Sequence, residues 1–336
     1  MMSSDDQDRD PVSRYVVSAE ETGLRLDVFL AARIEDASRS LIKQAIKDEA
    51  VTVKGRVVKR PGRGLSEGDE IEVRLPPVPV TELLPEDIPL DVVFEDSDIL
   101  VVNKPSGLVV HPAPGHPTGT LVNAVLHHCA DFERPGSKEG DDNDYLRPGI
   151  VHRLDRFTSG VMVVAKTRHA FDSLSDQARR HAFERRYVAL IQGEFKEDSG
   201  VIRASIGRSL SDRKRMSVTS VNAREAVTRF RVRERFGVAS YIELRLETGR
   251  THQIRVHLRF AGHPILGDTM YGVTDYSHWA VGQAAREALE GLAEQALHAE
   301  LLGLVHPRTL ENLRFEAPPP PDFQEVLTKL HELRSL

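Results

Sequence analysis

Among its 336 residues the chain has one cysteine, Cys129. That excludes an intramolecular disulfide and any zinc site built on several thiolates, and it suits a reducing compartment. Long apolar runs are missing too: none approaches the roughly 20 residues of a membrane-spanning helix. Residues Met1 to Pro11 are acidic and polar, without the apolar stretch of a secretory signal. These absences predict a soluble, cytoplasmic protein without a membrane partner, whose residues 1–23 are a disordered tail. Net positive charge is also lacking. The formal balance is −6, which taken globally argues against nucleic acid, but the distribution reverses that inference. From Arg39 to Arg63 there are 8 Lys and Arg against 2 acids, and from Val201 to Phe260 there are 14 against 5. Acid collects in the tail and in Asp131 to Asp144. Runs of this kind are either solvated faces or surfaces for a polyanion.

What is present divides into a small and a larger domain, the expectation for a chain too long for one ordinary core. Residues 24–75 read as a small α+β module. One helix runs from about Leu26 to Ile34 and a second from Arg39 to Glu49, followed by strands at 51–53 and 70–73. In the second helix Leu41, Ile42, Ala45 and Ile46 form an apolar stripe, leaving Arg39, Lys43 and Lys47 together on the opposite face. A cationic helix face beside the basic segment 54–68 can track a phosphate backbone, because each neutralised phosphate releases counterions. Residues 76–85 are rich in proline and read as a semi-rigid linker. The larger domain, 86–334, mixes strands and helices without strict alternation, which favours α+β over a doubly wound sheet.

Within it, the stretch from Gly149 to Gly160 places charge between two short β-branched runs, Ile99 to Val102 and Val161 to Ala165. Arg153 and Asp155 stand at i, i+2, on one side of an extended backbone. The residues alone leave two readings: a structural ion pair at a strand end, or a catalytic carboxylate positioned by a neighbouring cation. Further on, Arg229, Arg231, Arg233 and Arg235 alternate along Val227 to Phe236, which predicts four arginines on one sheet face. They are either an RNA-facing stripe or the cross-strand partners of Glu243 and Glu247. Residues 276–295 read as a helical, alanine-rich segment without an assigned role.

Five segments of the larger domain appear in order: Val101 to Pro112, His152-Arg153-Leu154-Asp155 with Thr158-Ser159-Gly160, Arg186 to Leu190 with Gly193, Thr248 to His257, and Leu297-His298-Ala299 with His306-Pro307. Together they resemble the RluA-type family of RNA pseudouridine synthases. In front of them, Arg25-Leu26-Asp27 and Ser38-Arg39-Ser40, with the helix and strand that follow, resemble the S4 RNA-binding domain. The resemblance implies a mixed, largely antiparallel catalytic sheet behind a small S4-like domain. It implies isomerisation of uridine to pseudouridine in large-subunit ribosomal RNA by a monomeric enzyme that needs no cofactor. Transfer RNA as substrate, or a non-catalytic ribosome assembly factor, are the alternatives.

For the site, the resemblance makes Asp155 the catalytic carboxylate, acting as nucleophile at C1′ or base at C2′ of the ribose. Arg255 becomes its cationic partner and Tyr187 the aromatic under the detached uracil. Arg153 would help flip the target nucleotide or hold flanking phosphates, with Arg250, His252, Arg39, Lys43 and Lys47 as further RNA contacts. A metal site is not expected. His252 and His257 share no face on a strand or a helix, and His111 and His116 flank prolines with no carboxylate between them. Lys104-Pro105-Ser106-Gly107 lacks the glycine spacing of a phosphate loop.

Overall fold

Separate hydrophobic clusters form on either side of Glu82, where the chain divides into two units. The computed structural model describes residues 12–34, 39–74, 83–113, 116–136, 147–209, 212, 215–219, 221–277, 279 and 282–334.

The first unit contains β1 (Val12–Val16), α1 (Leu26–Arg33), α2 (Arg39–Lys47), β2 (Val51–Val53), β3 (Arg56–Val57) and β4 (Glu70–Arg74). Its antiparallel sheet has the order β1-β4-β2-β3. Leu26, Phe29 and Leu30 of α1 and Ile42, Ala45 and Ile46 of α2 bury against Val51, Val53, Ile71 and Val73 of the sheet. The expectation of a disordered tail over 1–23 is corrected from Val12 onward. Val12 to Val16 pair with the whole of β4, Tyr15 meets the Phe29 ring edge-on, and Val17 is buried in the core. Alternation along Ser13, Tyr15 and Val17 supplies the inward face, and an acidic start to the chain obscures it. Residues 1–11 lie outside the described residues. The stripe reading of α2 matches its burial: Lys47 is exposed, and Lys43 is partly exposed with its ammonium 3.9 Å from the buried Asp27. The side chain of Arg39 lies outside the described residues.

The second unit contains β5 (Val92–Glu95), β6 (Ile99–Lys104), α3 (Leu121–His128), β7 (Ser159–Ala165), α4 (Arg168–Arg179), β8 (Glu184–Gln192), β9 (Ser199–Arg203), β10 (Ile206–Arg208) and β11 (Met216–Val218). Beyond these lie β12 (Val227–Arg235), β13 (Ala239–Leu246), α5 (Gln253–Phe260), α6 (Gln283–Glu290), β14 (Leu297–Val305), β15 (Asn312–Glu316) and α7 (Pro321–Arg334). Nine strands form one sheet in the order β5-β6-β7-β14-β8-β13-β12-β9, with β15 on β14. All its pairings are antiparallel except β7 with β14. The fold is therefore α+β with a mixed, largely antiparallel sheet. β7 is buried along its whole length, which accounts for its unbroken apolar sequence. β10 and β11 form a separate hairpin.

Two expectations change and a third holds over part of its length. The linker is shorter than 76–85: Leu83 is buried against Val122 and Leu126 of α3, and the Leu84 carbonyl accepts a hydrogen bond from Asn123. Residues 75–82 lie outside the described residues. The four-arginine face is broken by a register shift between Val232 and Glu234, which sets Arg235 opposite Ser240 instead of continuing the face shared with Glu243. Arg229 pairs with Glu247, Arg233 with Glu243 and Glu300, and Arg235 with Asp198, so cross-strand pairing accounts for most of the charge. The segment 276–295 does contain a helix, α6, which packs against α7 with Leu289 buried in the main core. Among the described residues no helix is long and apolar enough to cross a membrane.

Candidate active site

Asp155 sits in the loop that enters β7. Its carbonyl accepts from Thr158 N at 3.1 Å, closing a turn, and the Thr158 hydroxyl accepts from Gln295 at 2.7 Å. Two glycines bound this loop for steric reasons. A Cβ on Gly149 (φ +75°) would lie 2.5 Å from the Ala165 carbonyl oxygen, and one on Gly160 (φ +119°) 2.3 Å from that of Ala299. On the loop's far side, the buried Lys104 ammonium donates to the carbonyls of Pro105 (2.8 Å), Leu108 (2.9 Å) and Arg156 (3.0 Å).

The second half of the site is the start of α5. Gln253, 2% exposed, accepts from the Thr248 hydroxyl and Arg250 N, and donates to Val227 O and Thr228. His252 takes a left-handed backbone (φ 55°) at the helix cap, which turns the chain sharply into α5. One turn on, Arg255 projects toward the Asp155 loop. Its Nη1 donates to Asp155 Oδ2 at 3.0 Å, while Nε and Nη2 bind Asp268 as a fork at 2.7 and 2.9 Å. The guanidinium lies 4.9 Å from the centroid of the Tyr271 ring. Burial opposes its charge, but the two carboxylates outweigh that and raise its pKa, so Arg255 stays cationic. Asp268 is also buried, which works to raise its pKa. Hydrogen bonds from Arg255 and from the backbone of Met270 and Tyr271 overcome this and keep it ionised.

Asp155, Arg255 and Tyr187 line one cleft of about 270 Å³ together with Arg153, Arg250 and His252. Tyr187 is 7% exposed on β8, beside Ala299 of β14 and Leu244 of β13. Burial raises its phenol pKa, so the hydroxyl keeps its proton at neutral pH. His252 Nε2 lies 3.9 Å from Asp155 Oδ1, and its Nδ1 meets the Tyr271 hydroxyl at 2.9 Å. Burial depresses the His252 pKa against the pull of Asp155. Arg250 donates to the Glu225 carbonyl at 3.1 Å. Among the described residues no ion pair joins Arg153 to Asp155, and Asp155 takes its hydrogen bond from Arg255. Arg153 is exposed where it lines the cleft, and desolvation lowers its pKa with only partial relief from Asp155. Lys43 and Lys47 belong to the first unit. Asp268 and Tyr271 were not expected. Their only sequence signal is the Asp268-x-x-Tyr271 spacing, which lets one carboxylate accept from backbone N–H groups two and three residues on.

The RNA pseudouridylate synthase family model matches residues 98–260, and the S4 domain model matches residues 24–71. The uncharacterized RNA pseudouridine synthase YlyB of Bacillus subtilis (strain 168) is 43% identical over 94% of this chain and 97% of its own length. The chain belongs to the RNA pseudouridine synthase family. Ribosomal large subunit pseudouridine synthase D of Neisseria meningitidis serogroup A is also 43% identical, over 94% of this chain and 80% of its own. A solved structure titled human RNA pseudouridylate synthase domain containing 4 is 27% identical and superposes with a TM-score of 0.54, over 71% of this chain and 92% of its own. This pseudouridine synthase is therefore an isomerase acting on RNA, with an S4 domain ahead of its catalytic fold. The enzyme's cleft brings together segments far apart in sequence, among them the Asp155 loop and α5, whose Asp155 and Arg255 are a hundred residues apart.

Proposed function

We propose that Asp155 is the catalytic carboxylate and that the substrate is large-subunit ribosomal RNA. The observation that carries the site assignment is the 3.0 Å contact of Asp155 with Arg255, whose other nitrogens are held by Asp268. Asp155 meets a permanent cation at the wall of a cleft large enough for one nucleoside. The reaction breaks the N1 to C1′ bond of uridine, turns the uracil and joins C5 to C1′, with loss of the C5 proton to solvent and protonation of N1. Asp155 acts as nucleophile at C1′ or as base at C2′. Arg255 offsets the desolvation of its charge and fixes its orientation. The Tyr187 ring supports the detached base, and its protonated hydroxyl is available for a hydrogen bond to it. Arg153, with no carboxylate holding it among the described residues, takes the phosphate side of the flipped nucleotide or fills the space it leaves.

Arg250 and His252 line the same cleft and complete the contacts to the target nucleotide. We assign the first unit, from Val12 to Arg74 among the described residues, as the S4 RNA-binding domain and the second, from Leu83 onward, as the catalytic domain. Within the S4 domain Arg39, Lys43 and Lys47 would meet the RNA backbone. Ribosomal RNA is favoured by the name of the relative from Neisseria. The enzyme would work as a cytoplasmic monomer without a cofactor.

Two measurements test this. Asp155→Asn should abolish tritium release from RNA labelled at uridine C5 and leave RNA binding within about threefold; undiminished release would remove Asp155 from the chemistry. Pseudouridines mapped by carbodiimide treatment and reverse transcription should appear in large-subunit ribosomal RNA incubated with the enzyme. Their appearance only in transfer RNA would overturn the substrate assignment.

A further inference from the structure

On β8 the alternation of side chains assigns three consecutive positions to two different tasks. Arg186 turns away from the cleft and is spent on Glu300 (2.7 Å) and Glu316 (2.9 Å). Arg185 and Tyr187, two residues apart, share the other face and both line the cleft. The Arg185 Nε is buried with no hydrogen-bond partner, and no carboxylate pairs with the guanidinium among the described residues. A buried guanidinium N–H without an acceptor is costly, and native proteins rarely leave one so unless a ligand completes it. Gly249, from the turn that leads into α5, stands against this group: a Cβ there would lie 3.3 Å from Arg185 Nη1, so any larger residue would crowd the guanidinium.

We propose that Arg185 is a substrate-binding residue that takes a phosphodiester of the RNA strand at the entrance of the catalytic cleft. This rests on the cleft being the RNA site proposed above. A guanidinium offers a planar fork of donors that fits two phosphate oxygens. Among the described residues lining the cleft the carboxylate is Asp155, and it is held by Arg255. Arg153 lines the same cleft, so Arg185 gives the strand a second cationic contact, from the strand that carries the proposed base platform.

The experiment compares full-length wild-type, Arg185→Gln and Arg185→Lys proteins on a large-subunit ribosomal RNA transcript, recording Kd over a series of salt concentrations together with KM and kcat. Arg185→Gln should raise Kd and KM about three- to tenfold, reduce the slope of log Kd against log salt by roughly 0.7 to 0.9, and leave kcat within about threefold. Arg185→Lys should restore the slope but only part of the affinity, since a point charge replaces a fork. An unchanged slope in folded Arg185→Gln, or a Lys variant indistinguishable from the Gln variant, would overturn the proposal in favour of a packing role. If Arg185→Gln does not fold, Arg185→Met, which keeps the aliphatic stem, takes its place under the same criteria. Should wild-type protein leave this transcript unmodified, the ribosomal assignment fails, while the salt slopes on the same transcript still decide the role of Arg185.

Discussion

Lys104 and Arg156 are joined by a 3.0 Å hydrogen bond from the ammonium of one to the carbonyl of the other. The bond ties the end of β6 to the residue that follows the proposed catalytic Asp155. Burial pushes the Lys104 pKa down to about 7, against the pull of Asp155. Three carbonyl acceptors, matched to the three N–H bonds of an ammonium, favour the charged form.

Lys104→Met should therefore remove the ammonium from three carbonyls, leaving the Arg156 carbonyl with Gly107 N alone, and free the Asp155 loop. The expected cost is about 3 kcal/mol in urea unfolding, with a fall in kcat at least tenfold larger than any change in Kd for RNA. A variant of wild-type stability and turnover would show that the loop holds its shape without this anchor.

Asp268→Asn keeps the size of the side chain under Arg255 but removes its charge and turns one of the two acceptors into a donor. Arg255 would then lean on Asp155 alone and lose its fixed orientation. A loss of about 1.5–3 kcal/mol in transition-state stabilisation, roughly 10- to 100-fold in kcat, is expected. Binding of RNA should change little, because Asp268 lies behind Arg255. Equal losses in KM and kcat would instead point to a general collapse of the cleft.

The pH dependence of stability should carry the mark of His152. Its Nε2 accepts from Val163 N at 3.1 Å and its ring meets Phe183 edge-on. Burial, aided by the nearby Arg185 charge, pushes its pKa from 6.5 down to about 3. Between those values the unfolded chain binds the proton and the folded one does not. Stability is thus complete above pH 6.5 and falls as pH drops toward 3, by up to about 1.4 kcal/mol per pH unit. His111, lowered to about 4 by burial, acts in the same sense. Urea unfolding between pH 4 and 7 should give a shallower profile for His152→Asn than for wild type. Parallel profiles would exclude His152 as the source.

How much of this was legible without coordinates varies from residue to residue. The apolar runs at 99–102 and 161–165 became adjacent antiparallel strands, because unbroken β-branched sequence has few alternatives to a buried strand. Arg153 and Asp155 could not be resolved by spacing alone. Two side chains on one side of a backbone are free to pair or to part, and the third group that decides, Arg255, is a hundred residues away. Asp268 escaped notice although Arg255 is only 13 residues away, because the two do not share a helix or strand whose periodicity would link them. The arginines of β12 misled because a bulge changes the face without changing the alternation of the sequence. β1 escaped because its partner, β4, lies more than fifty residues downstream.

The single parallel pairing in the large sheet bears on how the enzyme comes into being. β14 lies between β7, which follows the Asp155 loop, and β8, which carries Tyr187 and Arg185. The two walls of the cleft are thus separated by a strand that is synthesised more than a hundred residues after them. During translation β7 and β8 leave the ribosome early but cannot settle at their final spacing until residues 297–305 insert between them. Such late, long-range closure is slow, and it leaves two strand edges exposed in the meantime. A nascent chain stopped before β14 would carry Asp155, Tyr187 and Arg255 and still lack the strand that sets the spacing of the proposed site.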